Sequence, residues 1–238
     1  MMIDLSTLDL IAICFFLFAW LGYHWAVEAN LAPRSSLNTL MDIYRLQWMQ
    51  QMAERESRIV DANIMSSLQN GTAFFASTSL IALGAAATLL RTTDDAIKIF
   101  ADLPLAAIPS RGAWEVKVVG LIIIFGYAFF KFSWAYRLFN FAAILIGATP
   151  SVRSHDQSKR DLAAKRAALM NISAAKHFTR GQRAFFFALA YFGWFAGPYV
   201  FLITTAGVLF VMWNRQHSSS ARTALDLYDL PSDTPRAD

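Results

Sequence analysis

The sequence contains a single cysteine, Cys14, and few charged residues. One cysteine cannot form a disulfide within the chain or a cysteine-based metal site, and we expect Cys14 to be a small buried residue. Charged residues make up 16% of the chain, against about 25% in soluble domains. The net charge of +4, mixed in sign along the chain, does not indicate nucleic-acid binding. No sequence signature of a common active site or cofactor site is present, so we expect neither an enzyme nor a cofactor.

Long apolar segments dominate what is present. Apolar residues make up 56% of the chain, which contains 20 Phe and 7 Trp, and aromatic rings are common where helices meet the lipid interface. A helix of about 20 apolar residues crosses about 30 Å of hydrocarbon. We therefore predict an all-α, polytopic membrane helical bundle. Its transmembrane helices, about four in number, are expected at residues 8–27, 72–90, 116–146 and 184–213.

The first of these segments does not resemble a secretory signal. Its leading residues carry Asp4 and Asp9 but no Lys or Arg, whereas a signal peptide needs a positively charged start. We expect it to be retained as a transmembrane helix. Residues 1–215 are predicted to form one membrane-embedded domain, followed by a polar tail at 216–238.

The remaining segments are hydrophilic. Apolar residues at roughly helical spacing predict one amphipathic helix over 35–70, and we expect it to pack against its neighbours. The link 91–117 reads as a hydrophilic loop with a helical turn at 94–101. Residues 151–183 carry eight Lys or Arg, and 155–180 predicts a second amphipathic helix. We expect anionic lipid to contact the basic segment 153–183.

The distribution of Lys and Arg predicts an orientation. The segments 28–71 and 149–183 hold twelve of these residues, whereas the N-terminus, the link 91–117 and the C-terminal tail hold seven. Cytoplasmic loops carry the excess of positive charge. We therefore predict a multi-pass protein of a bacterial inner membrane, with both long segments in the cytoplasm and both termini outside.

Two cations lie within the third apolar segment, where charge is costly and marks a pathway or a structural pairing. On a helical wheel Ser133, Arg137 and Asn140 share a face, and Lys131 lies on the opposite side. This face could form a polar stripe toward the bundle or a pore. Alternatively, Arg137 extends to the interface while Lys131 pairs with an acid from another helix.

The end of the first segment offers an acid and a base. Trp20, His24 and Glu28 follow one helical face. His24 and Glu28 could bind a proton or a metal ion together, but two ligands from one helix are too few for a metal site. We expect instead an ion pair of Glu28 with one of three cations, Arg34, Lys131 or Arg137.

Small residues predict close helix contacts. Ala73, Ser77, Gly84 and Thr88 lie near one face of the segment 72–90, which permits close packing. Ser77 also joins the candidate polar residues of the bundle. Three further residues mark the fourth segment: Gly193 and Gly197 have GxxxG spacing and are followed by Pro198, so we predict close packing at the glycines and a kink at the proline.

Two segments carry a resemblance to a known family. TAFFASTSLIAL (72–83) and FFKFSWAYRLFNFAAILIGATP (129–150) resemble an uncharacterised family of bacterial and plant integral membrane proteins, defined only as a domain of unknown function. The resemblance runs over most of 5–215 and implies a helical membrane fold with about four spans, but no activity. It assigns these residues to the family's signature: Phe74, Ser77, Lys131, Trp134, Arg137 and Asn140.

Two functions fit these features. The first is a homo-oligomeric ion channel, selective for anions if the internal cations line it, or a small-solute transporter. The alternative is a non-catalytic scaffold, an accessory subunit of a membrane complex or a lipid-binding protein, for which the amphipathic helices and the basic segment are equally suited. The expected partners are the lipid bilayer, further copies of the chain, anionic lipid and another membrane protein.

Overall fold

The computed structural model describes residues 5–28, 36–101, 110–153, 156–217 and 220–226. In this part of the chain every regular element is a helix, which confirms the all-α prediction. The eight helices are α1 (Thr7–Glu28), α2 (Leu37–Ala53), α3 (Ile59–Arg91), α4 (Thr93–Ala101), α5 (Arg111–Ala148), α6 (Gln157–Ala196), α7 (Pro198–His217) and α8 (Ser220–Asp226).

The long helices α5 and α6 form the centre of the bundle. Ala128, Ala135 and Ala142 are fully buried along one face of α5, where small side chains allow a close helix approach. A Cβ on Gly181 of α6 would lie 2.8 Å from the ring of Phe132, so a larger residue would separate the pair. Around this pair, α3 packs on α5, and α1, α2 and α7 pack on α6 or on one another.

Three helices, α1, α3 and α5, are long and apolar enough to cross a membrane by length and composition. They present large apolar side chains outward, among them Phe18, Ile81 and Phe130 at 77%, 73% and 72% exposure. Exposed apolar area on this scale marks a surface that contacts lipid or protein. The α7 helix presents the same kind of surface at Ile203 and Phe210. These features indicate a membrane protein.

The predicted span 184–213 is a helical hairpin rather than one kinked helix. The α6 helix ends at Ala196, Gly197 adopts φ +133°, and α7 begins at Pro198. Phe201 stacks on Trp194 with ring centroids 5.5 Å apart, so the chain reverses here. Glycine tolerates the positive φ, and proline suits the first turn of a helix. The prediction of one continuous span was therefore wrong.

Two further helix boundaries differ from the prediction. The segment 35–70 is interrupted between Ala53 and Ile59, so it forms the separate helix α2 and the start of α3. Asp61 accepts hydrogen bonds at this turn from Trp48 Nε1 at 2.7 Å and from Arg55 Nη1 at 3.0 Å. The predicted helix 155–180 is no separate element, since it runs without a break into the apolar half of α6.

The bundle has two ends, which contacts of α1 define. At its start, the Asp9 carboxylate accepts a hydrogen bond of 2.6 Å from Trp194 Nε1. At its finish, Tyr23 donates to the carbonyl of Met212 at 3.2 Å, and Glu28 binds Arg180. We call these the Trp194 end and the Glu28 end.

The finish of α7 therefore lies at the Glu28 end, opposite the start of α1. The two chain termini lie outside the described residues, so the expectation that both are outside the cell stays a prediction. Beyond the Glu28 end, α2 packs with residues 59–70 of α3, 137–148 of α5 and 157–180 of α6. We call this part the helical extension.

Candidate functional site

A cavity of about 450 Å³ lies where the helical extension meets the Glu28 end. The first half of α2 lies over α6, and the finish of α1 and the middle of α3 complete the walls. We call it the junction cavity. Its charged lining residues are Arg45, Lys176, Arg180 and Arg183 on the basic side, and Glu28 and Asp42 on the acidic side.

Three basic groups surround the Glu28 carboxylate. Arg180 donates through Nε to Oε1 at 2.7 Å and through Nη2 to Oε2 at 2.9 Å. Arg183 Nη1 lies 3.9 Å from Oε1, and His24 Nε2 lies 3.5 Å from it. The two parallel hydrogen bonds from Arg180 are the bidentate, strong form of a guanidinium–carboxylate contact. The cluster joins α1 to α6 and positions the two arginines at the cavity wall.

The opposite wall is held by a buried amide. Arg45 Nε donates to Asn171 Oδ1 at 2.9 Å, and Asn171 Nδ2 lies 3.3 Å from Met65 Sδ. Asn171 is fully buried. Arg45 Nη1 lies 3.7 Å from Asp42. Burial raises the pKa of Asp42 and lowers the pKa of Arg45, since removal from water disfavours both charged forms.

The lining therefore has four cationic side chains and two acidic ones, with Glu28 already bound to Arg180. An anion that enters would meet a positive field in a partly dehydrated space, where electrostatic attraction is stronger than in water. The geometry suits the binding of an oxyanion such as a phosphate group.

Toward the Trp194 end the bundle is filled with aromatic rings. Phe16 contacts Phe187, Tyr191 and Phe201 with centroids 5.6, 5.4 and 5.2 Å apart, and Trp194 stacks on Phe201. All are buried. We call this the aromatic cluster, and it lies between the junction cavity and the Trp194 end.

The model of one protein family matches residues 11–221, and its description is "Protein of unknown function, DUF599". The chain belongs to this family. The resemblance seen in the segments 72–83 and 129–150 is thereby confirmed. No curated protein and no solved structure matches the chain.

The two cations that we expected to belong to the family's signature do not line the junction cavity. Lys131 Nζ lies 5.1 Å from the centroid of the Tyr127 ring. Arg137 is exposed and lies over Trp134 and Phe141, at 5.8 and 5.4 Å. Arg137 therefore faces outward, not into the bundle of its own chain.

The polar residues expected beside Arg137 do not form a stripe with it. Asn140 accepts a hydrogen bond of 2.7 Å from Gln69 Nε2, so it joins α5 to α3. Ser133 is half-buried, and Ser77 on α3 is exposed. Their role in a pathway stays a prediction.

Two of the three partners expected for Glu28 do not pair with it in the described part of the chain. Neither Lys131 nor Arg137 pairs with it, and Arg34 lies outside the described residues. The partners are Arg180 and Arg183, which we expected to contact lipid with the rest of 153–183. Arg45 and Asp42 lie in the segment 35–70, for which the sequence predicted an amphipathic helix and no site. The i, i+3 and i, i+4 spacing of Lys176, Arg180 and Arg183 was the one local signal of a basic cluster on a helix face.

The small residues divide into two groups. Gly84 is exposed, with nothing within 4 Å of a Cβ built on it, so the described residues make no close contact at Gly84. Gly193 lies against the side chain of Thr204 in the hairpin. Cys14 is exposed on α1, contrary to the expected burial, because α1 packs through the opposite face that contains Ala12 and Phe16.

Proposed function

We propose that this DUF599 protein is an integral membrane protein that binds the phosphate-bearing headgroup of an anionic lipid in the junction cavity. The observation that carries the proposal is the excess of cationic over acidic side chains in a cavity of about 450 Å³. It corresponds to a lipid-binding or accessory role rather than a conducting one.

The level of the cavity supports a lipid as the ligand. The apolar α1 ends at Glu28, and the predicted apolar segment of α3 begins at Thr72; both residues line the cavity. Headgroups lie where the apolar segments of membrane helices end. The site is therefore at headgroup depth if α1 and α3 span the bilayer.

The charge distribution supports a cytoplasmic position for the Glu28 end. This end carries the basic segments, and the α7 hairpin adds Arg215 to it. Arg215 thus adds to the excess of Lys and Arg at the Glu28 end, and an excess of this kind is the basis for inferring a cytoplasmic position. Anionic lipids are concentrated in the cytoplasmic leaflet.

The geometry also divides the basic segment 153–183. At 1.5 Å per residue, the start of α6 at Gln157 lies about 35 Å along the helix from Arg180. Salt screens charges beyond about 8–10 Å. Lys176, Arg180 and Arg183 are therefore assigned to the lipid, whereas Lys159 and Arg160 are not.

Binding is tested by native mass spectrometry of the detergent-purified protein, incubated with phosphatidylglycerol or with phosphatidylcholine. We expect preferential retention of phosphatidylglycerol. Lys176→Gln should weaken it by about fivefold, since one cation near a headgroup contributes about 1 kcal/mol. Lys159→Gln, a change of the same chemistry on the remote part of α6, is the control.

Equal retention of both lipids by the wild type contradicts the proposal. A loss with Lys159→Gln equal to that with Lys176→Gln would mean that net charge, and not the junction cavity, determines binding.

A further inference from the structure

A second cavity, of about 210 Å³, lies beside the junction cavity. The start of α2, the middle of α6 and the finish of α7 form its walls. Arg183 and Arg215 line it, together with Gln216, Gln182 and Asn38, and none of the described residues that line it is acidic. We call it the α7 cavity. Two cations with no acid in the same wall are a feature that the lipid site does not explain.

The two guanidinium groups are positioned by aromatic rings. Arg183 lies over the ring of Tyr23 at 5.6 Å, and Arg215 over the ring of Phe186 at 5.4 Å. Contact with a ring face orients a planar guanidinium and leaves its N–H edge available for hydrogen bonds. Arg183 is 7% exposed, and its Nη1 also lies 3.4 Å from His24 Nδ1 and 3.9 Å from Glu28 Oε1. Arg183 is therefore held in place before a ligand arrives, whereas the Arg215 side chain is exposed.

Gln216 adds a donor that has no acceptor. Its Nε2 is buried and makes no hydrogen bond within the described chain. Buried polar atoms are nearly always paired, and an exception calls for a missing partner. In addition, α2 begins at Leu37 in the cavity wall. The first N–H groups of a helix have no partner within it, although that of Thr39 donates to Ser36 Oγ at 3.3 Å. The Gln216 amide and the start of α2 can both donate to an acceptor that carries negative charge.

We propose that the α7 cavity is a second anion site, which binds a phosphate group through Arg183, Arg215 and Gln216. Guanidinium groups recognise phosphate by paired hydrogen bonds, and the Gln216 amide supplies a further donor. The phosphate is either that of a lipid headgroup or free inorganic phosphate, since both present the same oxygens. The two cavities share Arg183, whereas Arg215 and Gln216 line only the α7 cavity. Substitutions of Arg215 and Gln216 therefore test this site separately from the junction cavity.

The test uses the full-length protein in detergent and in nanodiscs. In detergent, inorganic phosphate is titrated into the protein by calorimetry. In the second experiment, the protein is released from phosphatidylcholine nanodiscs prepared with or without phosphatidylglycerol. Native mass spectrometry then measures how much phosphatidylglycerol the protein retains. The variants are Arg215→Gln and Gln216→Met, with Lys176→Gln as the matched change in the junction cavity. Thermal unfolding of each variant checks that it folds.

We expect Arg215→Gln to weaken one of the two probes by at least about tenfold, as for a lost charge-assisted hydrogen bond, and Gln216→Met to weaken the same probe less. Loss of phosphate binding identifies the free ion as the ligand, and loss of one bound lipid identifies a headgroup. Lys176→Gln should leave phosphate binding unchanged. If the probe is lipid, the loss caused by Lys176→Gln belongs to the junction cavity and should add to the loss caused by Arg215→Gln when the two substitutions are combined. The proposal is overturned if neither probe binds the wild type, or if both α7-cavity variants fold and bind both probes as the wild type does. If Lys176→Gln does not weaken phosphatidylglycerol retention while the α7-cavity variants behave as expected, that result counts against the lipid site in the junction cavity only.

Discussion

Glu28 and Arg180 are 152 positions apart in the sequence, yet both oxygens of the carboxylate accept hydrogen bonds from one guanidinium, at 2.7 and 2.9 Å. The contact fastens the finish of α1 to the point on α6 where its basic half meets its apolar half. Because both residues line the junction cavity, this contact holds α1 and α6 together at the cavity wall.

The first prediction concerns this pair. In a double-mutant cycle of Glu28→Gln and Arg180→Gln, thermal unfolding in detergent should show a coupling of about 0.5–1 kcal/mol, because both side chains are part-exposed and the contact is screened. The exposed pair Asp95 and Lys98, 3.5 Å apart, serves as the control and should show almost none. Equal coupling in the two pairs would mean that Glu28 does not fasten α1.

A second prediction compares two glycines. Gly193→Ala should lower the free energy of unfolding by about 1–3 kcal/mol, since its Cβ would overlap the Thr204 side chain. Gly84→Ala has open space around it and should leave stability unchanged or raise it by up to about 1 kcal/mol, as alanine favours the helix. Thermal unfolding of both variants decides this. A destabilised Gly84→Ala protein would instead indicate a contact between copies at that face.

The third prediction is a pH dependence. Burial raises the pKa of Asp42, so its protonated form persists in the folded protein above the ordinary value of about 3.9. Asp42 thus favours folding at low pH, and this contribution is lost as pH rises through the raised pKa. Protonation also removes a negative charge beside Arg45 and Lys176, so anionic lipid should bind more tightly as the pH falls through that range.

Asp42→Asn should strengthen lipid binding at neutral pH and flatten this part of the pH profile. Asp95→Asn, which changes an exposed acid at the Trp194 end of the bundle, should leave both the lipid affinity and the pH profile unchanged. Native mass spectrometry across the pH series gives the measurement. An unchanged profile in Asp42→Asn would assign the dependence to another group.

The fourth prediction concerns topology. In a Cys14→Ser background, Asn214→Cys and Lys159→Cys should react with a membrane-impermeant thiol reagent from the same side of oriented vesicles, because Asn214 lies at the Glu28 end and Lys159 in the helical extension beyond it. Lys98→Cys, at the other end, should react from the opposite side. If the reagent instead labels Asn214→Cys from the same side as Lys98→Cys, α6 and α7 cross the membrane as one unit and the hairpin is wrong.

The fifth prediction is that proteoliposomes of the purified protein conduct neither chloride nor potassium. The aromatic cluster packs buried rings into the bundle toward the Trp194 end, and this packing opposes an ion path through a single copy of the chain. Arg137→Gln is the informative variant, because Arg137 lies on the outer surface. Flux that Arg137→Gln alters would restore the channel hypothesis, with a pathway between copies of the chain.

The amino-acid sequence by itself determined the helical class, the apolar segments and the family. These follow from local properties, since a bilayer span requires a run of apolar residues and a helix repeats every 3.6 residues. The sequence also predicted a break at Gly197 and Pro198, but it did not predict that the chain reverses there. Whether such a break bends a helix or reverses it depends on packing partners such as Phe201 against Trp194, which only the folded chain brings together.

The sites were decided by tertiary structure alone. Arg45, Glu28 and Arg215 come from different helices, and Arg45 reaches Asn171 across 126 positions of sequence. Pairing over such separations follows from how whole helices pack, not from the spacing of the charges along each helix. A cation on a helix face is therefore recognisable in the sequence, whereas the acid, amide or anion that it faces is determined only when the helices assemble.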